Sequence, residues 1–185
     1  MRRVMEAAYA KVNLTLAVTG RRADGYHTIE SLFQSVSLCD KLTLEQRERG
    51  FWLNETAGIP AEENIITRAD RLLRREFPNL GGVAVTLEKN IPTQAGLGGG
   101  SSDAAGVLVG LNRLWETGLT RTELEDVGLT LGADVPFCIR GGLTRTRGIG
   151  EAMQELPCGR CFPLVVIQPC GGLSTVSYTH LRAHE

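Results

Sequence analysis

The chain has 185 residues, 42% hydrophobic, 22% charged and 5% aromatic, which is ordinary globular make-up with enough apolar material for a full core and one or two domains. Twenty basic against twenty-one acidic residues leave a formal net charge of −1, so bulk charge does not point to nucleic acid or a membrane surface as a partner, and any anion must be bound locally. The start, MRRVMEAAYAK, lacks the apolar run of a signal peptide, no window reaches the length of a membrane-spanning helix, and five cysteines, an odd number, suit a reducing compartment: the expected location is cytoplasmic.

Taken in chain order, Val12, Leu14 and Leu16 alternate with Lys11, Asn13 and Thr15, which predicts a strand over Ala8 to Val18, followed by a turn from Gly20 to Gly25. A second strand is expected over Thr28 to Leu38 and a third over Lys41 to Gln46, with Asp40 at their junction and the set antiparallel. Residues 47–61 are polar and irregular. Ile65, Ile66, Ala69, Leu72, Leu73 and Phe77 then mark a helix face that stops before Pro78, while Arg68, Arg71, Arg74 and Arg75 make a solvated opposite face. Val83, Val85 and Leu87 alternate with Ala84, Thr86 and Glu88, the period of a half-buried strand.

Between Pro92 and Gly106 the chain reads PTQAGLGGGSSDAAG, and Val107, Leu108, Leu111, Leu114 and Trp115 follow at helical spacing. A flexible linker is the alternative for so much glycine and serine, but this stretch is wedged between a strand and a helix. Gly96, Gly98, Gly99 and Gly100 let the backbone approach an anion, and the amides of a loop entering a helix point partial positive charge at it. It is neither common nucleotide loop. No lysine follows Lys89, which excludes a Walker A ending, and Ser101 stands where the dinucleotide fingerprint has its third glycine.

Further on, Thr120 and Glu123 have capping-box spacing ahead of Leu124, Val127, Leu129 and Leu131, with Gly132 closing the helix. Asp134 before Val135-Pro136 reads as a helix N-cap or a tight turn, Gly141-Gly142 ends the segment it opens, and Leu164 to Ile167 predicts a short strand beyond a junction at Pro157 to Pro163. Cys158 and Cys161 form a C-x-x-C pair without two well-placed further ligands, so no metal site is assigned.

With the glycine loop, AKVNLTLAVTGRRADGYH at residues 10–27 and GLTLGADVPFCIRG at residues 128–141 resemble the galactokinase, homoserine kinase, mevalonate kinase and phosphomevalonate kinase superfamily. The Asp-Gly-Tyr-His run at 24–27 is similar to the branch whose acceptor is 4-diphosphocytidyl-2-C-methyl-D-erythritol, in non-mevalonate isoprenoid synthesis. The resemblance implies an α+β fold: an N-terminal ATP-binding kinase domain of the ribosomal protein S5 domain 2-like type at residues 1–157, with a left-handed β-α-β crossover. It also implies the beginning of a second α+β domain at residues 158–175.

The resemblance further implies that ATP phosphates lie on Gly96, Leu97, Gly98, Gly99, Gly100, Ser101 and Ser102, with Pro92 beside them and Asn64, Ile65 and Ile66 near the adenine. By the same likeness Asp134 is the base that accepts the acceptor proton, and Lys11 offsets developing negative charge. Asn13 would bond the methylerythritol hydroxyls, Tyr26 and His27 would hold the cytosine, and Thr175 would touch the substrate. Mg²⁺ is expected with the nucleotide, although no carboxylate ligand stands out. Residues 176–185, VSYTHLRAHE, resemble no part of that superfamily and are expected to be a non-native tail on a shortened gene, with Tyr178 a candidate for a second cytosine contact. Two other readings stay open: another small-alcohol acceptor in the same superfamily, and a nucleotide-binding fragment without activity.

Overall fold

The two longest runs of alternating residues pair with each other. The structure, a computed structural model, describes residues 2–23, 25, 27–54, 60, 62–157, 159 and 161–167. Strand β1 (Arg3–Arg21) runs antiparallel to β2 (His27–Arg47) from Arg3 opposite Glu45 to Arg21 opposite His27. The expected second and third strands are therefore one strand, and Asp40 lies within it. Polar Asp40 interrupts the apolar pattern because its carboxylate is wholly buried and satisfied internally, a role that pattern alone does not reveal.

Because β1 occupies one edge of β2 along nearly its whole length, the other edge is shared. β4 (Gly82–Glu88) pairs with Lys41 to Arg47 and β5 (Leu143–Gly148) with Ile29 to Gln34. β3 (Phe51–Asn54) lies parallel to β4, and β6 (Ala152–Leu156) antiparallel to β5, completing a six-stranded mixed sheet. β3, β5 and β6 were not among the sequence expectations. β3 is only four residues long, and β5 carries threonine and arginine rather than an apolar alternation.

Helix α1 (Ile65–Glu76) links β3 to β4 in a β-α-β unit; its N-cap is Asn64, whose side chain accepts from the Ile66 amide. α2 (Gly99–Trp115) follows the glycine loop, and α3 (Arg121–Leu129) opens with the expected Thr120–Glu123 capping box. α3 ends at Leu129, short of Gly132, and a turn leads to α4 (Val135–Arg140). The core lies between the sheet and the helices, with Leu42, Leu44, Val83 and Val85 meeting Ile66, Leu73, Leu108 and Leu111. α2 sits close to the sheet because it has glycine where it crosses β2: a Cβ on Gly106 would lie 2.5 Å from Leu42 and one on Gly110 2.7 Å from Leu44.

Of the arginine face of α1, Arg68, Arg71 and Arg75 are exposed as expected, whereas Arg74 is half-buried against Asp70 at 2.8 Å. The strand expected at Leu164 to Ile167 is absent: residues 161–167 carry no regular structure, and Val165 and Ile167 are 83% and 80% exposed. No neighbouring strand among the described residues supplies the ladder hydrogen bonds that such a strand needs.

Candidate functional site

The site forms where the edge of β1 meets the glycine loop. In β1 the register against β2 shifts between Tyr9 and Lys11 and again between Asn13 and Thr15, irregularities that re-aim local groups. At the first of them the Lys11 amide turns to the loop and donates to the Leu97 carbonyl at 2.9 Å. Ser102 ties the helix to the same strand, its hydroxyl donating to the Tyr9 carbonyl at 2.6 Å.

These bonds narrow the candidate cradle. The Ser102 amide donates to the Gly98 carbonyl at 2.9 Å and its hydroxyl to Tyr9, so Ser102 ties the helix start to the strand. The amides of Gly98, Gly99, Gly100 and Ser101 are the ones that helix geometry leaves without an intrahelical acceptor. Gly98, the N-cap, has φ of 69°, and a Cβ there would lie 3.0 Å from Cγ of Lys11. Gly96 faces open space, and beside Gly100 stands only Ile65, 3.9 Å from a notional Cβ, which brings the Asn64–Ile65 corner of α1 to the loop. Leu97 is buried and Pro92 exposed at the loop's entry.

On the other side of Lys11 stands Asp134. It occupies the N-cap position of α4, yet its carboxylate makes no cap hydrogen bond and lies 3.3 Å from the Lys11 ammonium. Lys11 also donates to Asn13 Oδ1 at 3.1 Å, so three residues assigned through the motifs converge. The lysine is 5% exposed, and its ammonium lies over the Phe33 ring, 4.4 Å from the centroid. α4 is held in turn by Arg140, which donates to Glu125 of α3 at 3.0 Å.

Sequence reasoning missed a second charged cluster beneath the loop. Lys89, just past β4, donates to Asp40 of β2 and to Asp103 of α2, the latter at 2.8 Å. Asp40 also accepts from the Asn90 and Ile91 amides at 2.5 and 2.7 Å. Burial pushes the Asp103 carboxyl up to about 7, against the opposing pull of Lys89. A lone aspartate in a run of small residues at the start of a buried helix was the available signal.

Not every expected residue joins the site. His27 is exposed at the first position of β2, opposite Arg21, sixteen residues along the chain from Lys11 and close to the hairpin turn. Tyr26 and Thr175 lie outside the described residues, as do Cys158, Tyr178 and the segment 176–185. A cavity of about 530 Å³ opens on the far side of Ser102, lined among others by Glu6, Tyr9, Ser35, Cys138 and Arg140, and Lys11, Asn13, Gly98 and Asp134 do not line it. Burial pushes the Cys138 thiol there up to about 12.

With this geometry in view, residues 64–142 match the family of GHMP kinases N terminal domains, a span that includes the loop, Lys89, Asp103 and Asp134. The matched segment is a GHMP kinase N-terminal domain. The chain is 48% identical over 175 residues to the 4-diphosphocytidyl-2-C-methyl-D-erythritol kinase of Paracidovorax citrulli, covering 92% of this chain and 61% of that one. To the kinase of the same name from Methylococcus capsulatus it is 47% identical over 165 residues, covering 88% and 57%. A crystal structure of a 4-(cytidine 5'-diphospho)-2C-methyl-D-erythritol kinase superposes with a TM-score of 0.73 at 43% identity, covering 83% of this chain and 55% of that one. The chain thus spans about three-fifths of the length of the curated relatives it matches.

For the GHMP kinase domain, the α+β class is as expected, and the sheet–helix framework explains why the motifs, scattered over more than a hundred residues, meet at one edge. No helix among the described residues is long and apolar enough to cross a membrane.

Proposed function

We propose that this GHMP kinase domain moves the γ-phosphoryl group of ATP to a hydroxyl of 4-diphosphocytidyl-2-C-methyl-D-erythritol, in the cytoplasm. The observation that carries the reading is the meeting of Lys11, Asn13 and Asp134 beside the amides of Gly98 to Ser101. The relatives' names supply the acceptor.

In this reading the triphosphate lies on amides of the α2 N-terminus, because Lys89 is already engaged by two carboxylates and Lys11 is the other lysine at the loop. Asn13 orients the acceptor. Asp134 accepts the proton of the attacking hydroxyl as its oxygen bonds to the γ-phosphorus and the bond to the ADP oxygen breaks. Lys11, between base and loop, stabilises the charge that develops on the transferring group. Asn64 and Ile65 border the nucleoside end, with Pro92 at the loop entry; Tyr26, His27 and Thr175 are assigned to the cytidylyl substrate.

Magnesium would arrive on the nucleotide. Among the described residues no cluster of three or more His, Cys, Asp or Glu is gathered for an ion, so the donor set fits a metal carried mainly by phosphate oxygens and water, where it would neutralise the β- and γ-phosphates.

The test is a coupled assay of ADP release with three acceptors: the cytidylyl-methylerythritol compound, homoserine and mevalonate. Release with the first alone supports the reading. Equal or greater release with either of the others overturns the acceptor assignment, and no ATP binding overturns the cradle.

A further inference from the structure

An enclosed ammonium has three N–H bonds to satisfy, and the surroundings of Lys11 supply two oxygen partners. Asn13 Oδ1 lies at 3.1 Å and Asp134 Oδ2 at 3.3 Å. In the third direction stands the face of Phe33, 4.4 Å from Nζ to the ring centroid, at a site where the lysine is 5% and the phenylalanine 1% exposed. Phe33 is the cross-strand partner of Asn13, so β2 places the ring under the same two residues that β1 presents.

The ring is itself fixed. Phe137 packs edge-on against it, with centroids 5.3 Å apart and planes at 83°. Phe137 is 1% exposed and lies three residues beyond Asp134, on the same face at the start of α4. The two rings therefore form an aromatic bridge from β2 to α4 that passes beneath the Lys11–Asp134 pair. A leucine at position 33 would fill the space of a core side chain, but it would offer a buried N–H nothing. The negative face of an aromatic ring attracts a cation, most strongly where water is excluded.

We propose that Phe33 is a positioning residue of the kinase site: its π face is the third partner of the Lys11 ammonium and holds that charge against Asp134, where acceptor oxygen and γ-phosphoryl group meet. The proposal rests on the phosphoryl-transfer reading above. Phe33 touches no substrate in it and acts only through Lys11.

The experiment replaces Phe33 in the full chain with phenylalanines bearing one, two and three ring fluorines, and separately makes Phe33→Leu. Fluorine withdraws charge from the ring face while nearly preserving shape and apolarity. Turnover is expected to fall stepwise with fluorine number, by roughly tenfold at three fluorines, with KM for ATP unchanged and melting temperature nearly constant. Turnover of the trifluorinated protein equal to that of the parent, or Phe33→Leu as active as the parent, would overturn the proposal. A second readout needs no transfer. The ε-methylene of Lys11 is bonded to the Nζ that stands over the ring, so its proton resonance should be shifted upfield in the parent and return toward the ordinary lysine position in Phe33→Leu. An unshifted parent resonance overturns the contact. If the parent binds ATP but transfers nothing, the activity reading falls, and the ε-proton shift alone decides whether Phe33 holds Lys11.

Discussion

The floor of the site and the arm that extends from it are built from the same two strands by opposite means. At the floor, Lys11 is gripped from its own strand by Asn13, from the loop by Gly98 and Leu97, from β2 by Phe33 and from α4 by Asp134. Along the arm, β1 from Leu14 to Arg21 is exposed except for half-buried Leu16, while the facing stretch of β2 begins at exposed His27. The arm has its ladder and a few added bonds, among them Thr19 to Thr28 at 3.1 Å and the Leu32 amide to Thr15 at 3.1 Å. Phosphoryl transfer, the proposed reaction, requires fixed geometry, and the floor has it. Base recognition, the role proposed for His27, tolerates a looser element, because the bound base itself supplies packing. Substitutions should therefore affect catalysis at the floor, and recognition alone at the arm.

The largest effect is expected from Asp134→Asn. The amide is nearly isosteric and Asp134 makes no cap hydrogen bond, so α4 should persist. Turnover should fall by roughly 10²–10⁴ with ATP affinity little changed, as steady-state kinetics and calorimetry would register. A folded Asn variant with parental turnover would remove the base from the mechanism and reduce the floor to a packing feature.

Gly98→Val sharpens the claim that loop and lysine are one unit. A side chain at φ of 69° is strained, and its Cβ would press on Lys11 Cγ at 3.0 Å. The expected outcome is a loss of about 3 kcal/mol in urea unfolding, with weaker ATP binding and lower turnover together. Weaker ATP binding with undisturbed turnover at saturation would separate the loop from Lys11.

How much of this was legible beforehand differs by residue. The strand around Lys11 and Asn13, the helix face from Ile65 to Phe77 and the Thr120–Glu123 cap depend on neighbours in sequence, and all three elements appear, although Lys11 on the expected polar face is buried and Leu14 on the expected apolar face is exposed. The Lys89–Asp103 and Lys89–Asp40 pairs, separated by 14 and 49 residues, depend on how the sheet closes, which no local pattern records. Asp134 shows the limit most clearly. Local reading allows a cap, and only the convergence with Lys11 from a strand more than a hundred residues earlier turns its carboxylate away from the helix. The tie from the Ser102 hydroxyl to Tyr9 on the strand below depends on the same kind of distant contact.

The buried cluster under the loop gives the floor a pH dependence of its own to test. Asp103 has its carboxyl raised to about 7 from the ordinary aspartate value of 3.8, chiefly by burial. A carboxyl raised on folding keeps its proton in the native state after the unfolded chain has lost it. Its contribution to stability is thus full below about pH 4 and is lost as pH rises to about 7. Asp103→Asn should remove that part of the slope, on the order of 4 kcal/mol, so the difference between the two proteins' urea stabilities should change across pH 4–7. Parallel pH profiles for parent and variant would show that Lys89 keeps the carboxylate ionised throughout.

The smallest effect on the fold, and the sharpest test of the division between floor and arm, is expected from His27→Ala. His27 is exposed at the start of β2, so its removal should change unfolding stability by no more than about 0.5 kcal/mol. ATP affinity should also hold, because His27 pairs with Arg21 near the turn while the loop amides sit beyond Lys11, ten residues back along β1 and roughly 30 Å away if the strand were straight. What should change is affinity for the cytidylyl acceptor, by about 1 kcal/mol or roughly fivefold, the worth of one hydrogen bond to the base. Calorimetric titration with each ligand separates the outcomes. Loss of acceptor affinity alone places base recognition on the arm. Equal losses for both ligands would mean that arm and floor move as one body, and no loss for either would leave His27 a turn residue and return the acceptor assignment to homoserine or mevalonate.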